Sequence, residues 1–439
     1  MISATAPSSL RRPVLVLALA FMGLAHISVL RQRLKGVAFA LVEVTFLIFA
    51  PVTVGKLRLL VSLGEPQLDI PVKDRDNSMF MLIDGVMTVA VIGLFAALYL
   101  ISVRSALADW RSQAASGGVP SLRKQASVLT NRAFPVIGLA PTVSLILFFV
   151  VVPLVFSACV AFTNYSSPDH IPPAKTVDWV GLANFEYMFG GGAAWTSAIV
   201  RVFAWTVAWA ALATFTCYFG GMLMAVVLQE SNLRIKPVAQ AVFILPYAIP
   251  IVVSMLVWRN LLNGAFGQVN RTLMALGLID HAIPWLSDPW LAKFSVVMIN
   301  LWAGFPYFML LTFGAMTAIS PDVIEAAKLD GASAFQRFKT ITLPLVLYQT
   351  APLIIISFAH NLNNFGAVFF LTMGSPTVSD STLTGAGGTD IMVSWIYNLT
   401  ITLMKYNYAS VLAVMIFVVL APFAIFNFRR TKSYKEGAL

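Results

Sequence analysis

The sequence predicts an all-α membrane protein with about eight transmembrane helices, or nine if one weaker apolar segment also crosses. Hydrophobic residues make up 59% of the 439 residues and charged residues 11%, which excludes a soluble domain of this length. Several apolar runs approach the roughly twenty residues that a helix needs to cross a hydrocarbon layer about 30 Å thick. A helix also satisfies its own backbone hydrogen bonds in lipid.

Eight apolar runs define the expected spans. Their approximate limits are 37–60, 80–103, 135–162, 199–228, 237–258, 290–316, 345–370 and 407–428. A ninth, weaker run at about 14–30 contains Gly23 and His26 and is followed directly by cations. This run is compatible with a span, a half-inserted hairpin or an interfacial helix. We therefore expect an N-terminal membrane segment over residues 1–133, with two or three apolar helices, and a core domain over residues 134–439.

The distribution of cations predicts the orientation in the membrane, because cytoplasmic loops carry an excess of Lys and Arg. The loop after the second span has five cations against one acid: Arg104, Arg111, Arg123, Lys124 and Arg132 against Asp109. The C-terminal tail is also basic, with Arg429, Arg430, Lys432 and Lys435. The tail and the segment 321–344 are therefore expected in the cytoplasm. The net charge of +10 reflects this topology, and no soluble basic face for a nucleic acid is expected.

A polar segment between the sixth and seventh spans has the signals of a helix–turn–helix. Ser320 is a candidate N-cap, and Gly331 suits the left-handed position that ends a short helix. Ser333 and Gln336 have the spacing of a capping box, so a second helix is expected to start at once. Pro344 then marks the beginning of the next apolar run.

The same segment resembles the EAA loop of ABC importer permeases. The matching residues are Glu325-Ala326-Ala327, Gly331 four positions later, and Ile341-x-Leu343-Pro344. The resemblance implies a type I ABC importer permease fold, in which this cytoplasmic loop at 321–344 docks on the ATP-hydrolysing subunit. The implied coupling residues are Glu325, Ala326, Ala327, Asp330, Gly331, Leu343 and Pro344.

Further stretches resemble the MalF-type maltose/maltodextrin permeases, from about residue 135 to the C-terminus. They are Ala161-Phe162-Thr163-Asn164-Tyr165, Ile244-Leu245-Pro246-Tyr247-Ala248-Ile249-Pro250, Asn300-Leu301-Trp302-Ala303-Gly304-Phe305-Pro306-Tyr307, Asn361-Leu362-Asn363-Asn364-Phe365-Gly366, Thr389-Asp390-Ile391 and Trp395. The N-terminal part looks more like Gram-positive maltodextrin or galacto-oligosaccharide permeases. The resemblance implies import of a neutral oligosaccharide by alternating access, first maltose or maltodextrin, with galacto-oligosaccharide or another sugar as the alternative.

Polar residues inside predicted spans also indicate a pathway on physical grounds, because they are costly unless they face protein or water. Asn300, Gly304 and Tyr307 share one helix face. Asn361 and Asn364 are neighbours on another helix. Amides and phenols interleaved with aromatic rings suit a neutral sugar, although a lone membrane Asn is as often an interhelical hydrogen bond.

The resemblance assigns a substrate-path role to several of these positions. The expected substrate-path residues are Tyr247, Asn300, Gly304, Tyr307, His360, Asn361 and Asn364. Two residues depart from the maltose permeases: Ile251 replaces a small hydroxyl residue, and His360 replaces an aromatic hydrocarbon. These departures leave the identity of the sugar open.

The sequence offers no catalytic or metal-binding residues. No carboxylate pair lies within a span, the two Cys and four His show no ligand spacing, and no phosphate-binding loop is present. We therefore expect a non-catalytic subunit that binds no cofactor itself, with ATP and Mg²⁺ held by a partner.

The resemblance implies a multi-pass location in the inner or plasma membrane and a set of protein partners. The implied partners are a second homologous permease subunit, two ATP-binding subunits and an extracytoplasmic sugar-binding protein. A stand-alone secondary sugar transporter is the alternative, but it would show related halves and a membrane carboxylate or cation site. A membrane-embedded glycosyltransferase would need paired acids or a metal cluster.

Overall fold

The computed structural model describes residues 11–67, 69–71, 74–116, 134–171, 175–231 and 235–430. These residues are mainly helical, with one isolated antiparallel bridge between Thr163 and Trp179. The chain forms two compact units, Met1–Gly181 and Leu182–Leu439. The predicted all-α membrane class is confirmed.

The described residues of the first unit form seven α-helices. They are α1 (Arg11–Ala20), α2 (Leu24–Ser28), α3 (Arg33–Ile48), α4 (Ala50–Ser62), α5 (Ser78–Ser116), α6 (Phe134–Ile146) and α7 (Val152–Val160). Helices α3 and α4 are bent by 52° relative to each other. A π-helical turn at Leu147–Val151 joins α6 to α7, so that the chain crosses as one span over Gly138–Val160.

The weak apolar run at the N-terminus folds as a hairpin of two short helices against α5. At its tip, the Tyr99 hydroxyl donates to the Leu19 carbonyl at 2.7 Å. At its far end, the Gln113 amide donates to the Leu30 carbonyl at 2.9 Å. Glu43 of α3 accepts a hydrogen bond from the backbone N–H of Met22, between the two helices. The run therefore folds as a helical hairpin, and whether it is inserted in the membrane stays a prediction.

The described residues of the second unit form thirteen α-helices. They are α8 (Ala183–Glu186), α9 (Ala193–Glu230), α10 (Lys236–Ala248), α11 (Ile251–Leu261), α12 (Gln268–Ala275), α13 (Pro289–Thr317), α14 (Pro321–Leu329), α15 (Ala334–Arg337), α16 (Leu343–Leu362), α17 (Phe365–Thr372), α18 (Ser381–Thr384), α19 (Met392–Tyr397) and α20 (Tyr406–Arg430).

Helices α9 and α13 form the centre of this unit and approach closely at Gly221. A Cβ atom there would lie 2.5 Å from the Phe305 carbonyl oxygen, so only glycine permits the contact. The buried side chains of Trp209, Met255 and Val296 belong to a core cluster beside this helix pair. This packing fixes the helices from which the candidate site is built.

An ordered connection at 373–391 is anchored to α9 by a buried ion pair. Arg201 of α9 donates to the carboxylate of Asp380 at 2.5 Å. Burial raises the pKa of the nearby Asp390 carboxyl above its usual range, while a hydrogen bond from Ser394 acts in the opposite direction. Arg201 is not among the predicted functional residues, although it is the only cation in a long apolar helix, which is a signal of a specific partner.

Within the described residues, six helices are long and apolar enough to cross a membrane, and counting two bent pairs as spans gives eight. The predicted run 237–258 is not a straight helix, because α10 and α11 meet at 90°. The break lies at Ile249–Pro250, where proline disfavours a helical conformation of the preceding residue. The predicted run 345–370 is also interrupted, between α16 and α17.

The domain boundary predicted at residue 133 adjoins residues 117–133, which lie outside the described residues, and it stays a prediction. The cations Arg123, Lys124, Arg132, Lys432 and Lys435, used for the predicted orientation, also lie outside them. Helices α6 and α7, which the prediction assigned to the core domain, belong to the first compact unit.

Candidate functional site

A cavity of about 720 Å³ opens within the second unit, between α9, α10, α11, α13 and α16. All seven residues predicted for the substrate path line it: Tyr247, Asn300, Gly304, Tyr307, His360, Asn361 and Asn364. The described lining contains no Asp, Glu, Lys or Arg. The structure thus brings the predicted residues together in a wall that carries no permanent charge.

Two tyrosines form an aromatic part of this wall. Tyr247 lies just before the 90° break between α10 and α11, and Tyr307 follows Pro306 in α13. Their ring centroids are 6.0 Å apart, and the side chains are 53% and 37% exposed. Neither hydroxyl has a hydrogen-bond partner among the described residues, so both are available to a ligand.

Asn300 is held by a cysteine of the neighbouring helix. Its side-chain amide donates to Cys217 Sγ at 3.4 Å, and the thiol donates back to the Asn300 carbonyl at 3.4 Å. A Cβ atom on Gly304 would lie 2.8 Å from the same sulfur. Gly304 is therefore the notch that admits the thiol, and the thiol orients the amide of Asn300.

The two asparagines of the opposite wall are joined into a chain of hydrogen bonds. Asn361 donates to Thr214 Oγ1 at 3.0 Å, and Asn364 donates to Asn361 Oδ1 at 3.2 Å. Asn364 also caps α17 by accepting from the backbone N–H of Ala367 at 3.4 Å. Because each amide has two N–H groups and two lone pairs, both retain some capacity toward the cavity.

His360 and Ile251, the two departures from the maltose permeases, both line the cavity. The His360 side chain is exposed and makes no hydrogen bond among the described residues. Ile251 begins α11 and places a β-branched apolar group next to the break. These two residues change both the polarity and the shape of the wall.

Helix α9 contributes two residues to the site that were not predicted, Thr214 and Cys217, because the sequence does not distinguish them from the apolar residues around them. Each holds one cavity asparagine, and one position further Tyr218 shares a 2.8 Å hydrogen bond with Thr350 of α16. The available signal was that three side chains with hydrogen-bonding groups lie within about one helical turn inside an apolar span.

The predicted coupling segment folds separately from the cavity. Glu325, Ala326 and Ala327 lie in α14, Asp330 ends that helix, and Gly331 has φ +82° as expected. Leu343 and Pro344 are the first two residues of α16. The segment is largely exposed, with the Leu329 side chain 89% exposed.

The capping of this segment is partly as predicted. The box is present: the Gln336 N–H donates to Ser333 Oγ at 3.2 Å, and the Ser333 N–H donates to Gln336 Oε1 at 2.7 Å. The expected side-chain cap by Ser320 is wrong, because its hydroxyl contacts the Asp322 carboxylate at 3.5 Å and accepts no backbone hydrogen bond. Arg337 pairs with Glu230 of α9 at 2.9 Å, which ties the segment to that helix.

The sequence matches a known transport family. The family described as "Binding-protein-dependent transport system inner membrane component" matches residues 218–431. The galactooligosaccharides transport system permease protein GanP of Bacillus subtilis (strain 168) is 35% identical over 409 residues, covering 93% of this chain and 95% of GanP. The maltodextrin transport system permease protein MalC of Streptococcus pneumoniae serotype 4 is 31% identical over 415 residues, covering 92% of each chain.

A third relative and a solved structure match less of the chain. The maltose/maltodextrin permease MalF of Vibrio vulnificus (strain YJ016) is 36% identical over 256 residues, covering 58% of this chain and 48% of MalF. A chain of a bacterial ABC transporter involved in the import of the acidic polysaccharide alginate aligns with a TM-score of 0.55 and 22% identity. That alignment covers 69% of this chain and 98% of the other, and it supports a shared fold.

Proposed function

The chain belongs to the binding-protein-dependent transport system inner membrane components, among the sugar permeases of ABC importers, and we propose that a neutral oligosaccharide crosses through its cavity. The fold is that of a type I ABC importer permease. The observation that carries the proposal is the convergence of all seven predicted substrate-path residues on one wall, whose described lining contains no Asp, Glu, Lys or Arg.

The chemistry of this wall fits a sugar. The free hydroxyls of Tyr247 and Tyr307 and the amides of the asparagines can donate to and accept from sugar hydroxyls. The tyrosine rings offer apolar faces on which the C–H face of a pyranose can pack. The absence of a charged side chain from the described lining favours a neutral sugar over an acidic one.

The sugar we propose is a maltodextrin, with a galacto-oligosaccharide as the second candidate. Relatives named for each sugar resemble this chain over more than nine-tenths of its length. Ile251 and His360 line the cavity where they can distinguish α-linked glucose units from β-linked galactose units by shape and hydrogen bonding.

Transport needs partners that this chain does not supply. We expect a second homologous permease subunit, two ATP-binding subunits that hold ATP and Mg²⁺, and an extracytoplasmic sugar-binding protein. The exposed segment at 321–344, on the cytoplasmic side with the C-terminus, would dock on one ATP-binding subunit through Glu325 and the turn at Gly331. Closure of the ATP-binding subunits would open the cavity outward, and hydrolysis would return it to the inward-facing state.

Purification of the tagged chain from native membranes tests this function. We expect a second permease and an ATPase to co-purify, and ATP hydrolysis to rise when the sugar-loaded binding protein is added. Uptake of maltodextrins and galacto-oligosaccharides into proteoliposomes then identifies the substrate. A chain that purifies alone and transports sugar without ATP would contradict the proposal and indicate a secondary transporter.

A further inference from the structure

The first and the last residues of the N-terminal hairpin lie at the same end of α5. Its tip lies at Tyr99 and its exit lies at Gln113, about 21 Å further along α5 at a rise of 1.5 Å per residue. Helix α1 packs Val14 and Ala18 into the same cluster as Val103 of α5, so it approaches the tip from the Gln113 end. The two legs of the hairpin therefore begin and finish near the Gln113 end of α5, past residue 103, where the predicted second span ends.

Four arginines mark these two ends. Arg11 and Arg12 begin α1, while Arg31 and Arg33 follow α2, and all four side chains are exposed. We call these four residues the hairpin base. None of them takes part in the ion pairs that the described residues form.

Two acids that contact the hairpin or the residues next to it are already engaged. Asp109 pairs with Lys35 at 2.6 Å and lies 3.5 Å from His26 Nε2. The Glu43 carboxylate accepts from the backbone N–H of Met22 at the hairpin tip. The positive charge of the hairpin base is therefore not neutralised by these carboxylates of the first unit.

The backbone at Arg31 adds an independent observation. Arg31 has φ +52°, a left-handed conformation that glycine or asparagine adopts at lower cost than arginine. A residue with a long cationic side chain occupies the position where the local geometry favours a small one. This left-handed turn sets the direction of the chain between α2 and α3.

We propose that the hairpin base binds the phosphate headgroups of anionic phospholipids. Beside the cations, the two legs expose an apolar surface, with Val16 63%, Leu19 56% and Ile27 37% exposed. A phospholipid matches both parts, because its phosphate meets the arginines and its acyl chains cover the apolar surface. A soluble acidic partner would leave that apolar surface uncovered.

The test uses the purified full-length chain in phosphatidylcholine nanodiscs, with labelled phosphatidylglycerol as the probe. The variant Arg31→Gly/Arg33→Gln removes two cations and relieves the strained backbone, so the hairpin is expected to remain folded. Each cation near an anionic surface contributes about a fivefold factor in affinity, so the variant should bind phosphatidylglycerol about 25-fold more weakly. The control Arg58→Gln/Arg271→Gln removes the same charge elsewhere and should bind as the wild type does.

Hydrogen exchange of residues 11–35 localises the effect. In the wild type, exchange should be slower in nanodiscs that contain phosphatidylglycerol, and the variant should lose this difference. If exchange in the wild type did not depend on phosphatidylglycerol, the proposal would be overturned. It would also be overturned if the control variant lost the phosphatidylglycerol-dependent slowing as fully as the Arg31→Gly/Arg33→Gln variant does. Protection by inorganic phosphate in phosphatidylcholine alone would also overturn it, because it would reveal a site for a soluble anion.

Discussion

The cavity wall and the coupling segment at 321–344 are held together by hydrogen bonds of very different range. In the cavity, Asn361 donates to Thr214, 147 positions away in the chain. In the coupling segment, Ser333 and Gln336 bond each other across three positions. The cavity therefore depends on how distant helices pack, whereas the coupling segment keeps its local shape through its own sequence. Substitutions in the two regions should therefore have different effects.

The largest effect is expected from Gly331→Asp in the coupling segment. Nothing lies within 4 Å of the position that a Cβ would occupy, so the change strains only the local left-handed backbone, by about 1–2 kcal/mol. Membrane insertion and the cavity should remain intact, while the new carboxylate on an exposed turn abolishes uptake and weakens association with the ATPase. Gly331→Asn, which has the same shape without the charge, should retain substantial uptake. If a normally assembled Gly331→Asp complex transported sugar normally, Gly331 would have no role in coupling.

The next largest effect is expected from Gly304→Ala in the cavity. The added methyl group would overlap Cys217 Sγ, and overpacking of this kind typically costs about 1–3 kcal/mol. We expect a lower melting temperature and a higher sugar concentration for half-maximal uptake, because Asn300 loses its orientation. Adding Cys217→Ala should restore part of the stability, since the smaller side chain makes room. Failure of this double variant to recover would show that Gly304 does not act through the thiol.

A smaller effect is expected from Thr214→Val, which removes the hydrogen bond to Asn361 while conserving side-chain shape. Loss of one such bond is worth about 1 kcal/mol, so half-maximal uptake should require about fivefold more sugar. Thr53→Val in α4 of the first unit is the matched control, because the Thr53 hydroxyl donates to the Phe49 carbonyl of its own helix. If the two variants had the same uptake kinetics, Asn361 would serve in packing alone.

The smallest effect is expected from Ser333→Ala, which removes half of the capping box. The cap contributes about 1 kcal/mol to the start of one short helix, so uptake should fall less than in the other variants. Ser320→Ala should be closer to neutral, because the Ser320 side chain caps no backbone group. Hydrogen exchange of the coupling segment measures both, and faster exchange in Ser320→Ala than in Ser333→Ala would contradict this assignment.

The two regions also differ in what the sequence could predict. The turn at Gly331 and the box at Ser333 follow from local preferences, and both are present. The cavity residues could be named because polar groups in apolar spans need partners or water. Their partners could not be named, because a sequence does not show that Thr214 meets Asn361.

The breaks in the spans have a similar explanation. Pro250 indicated irregular geometry around Tyr247, but the 90° angle depends on what α10 and α11 pack against. The interruption before α17 was missed because Asn364, assigned only to the sugar path, also caps that helix. For this reason, replacing Asn361 and Asn364 together would disturb the fold as well as any sugar contact.

Helix α9 carries both Glu230, which pairs with Arg337 of the coupling segment, and Cys217, which holds Asn300. The two positions are about 20 Å apart along one unbroken helix. Because a helix moves as a nearly rigid element, a displacement of Arg337 would also displace Cys217 and with it the amide of Asn300. The two regions would then be linked directly by α9, without a series of small rearrangements between them.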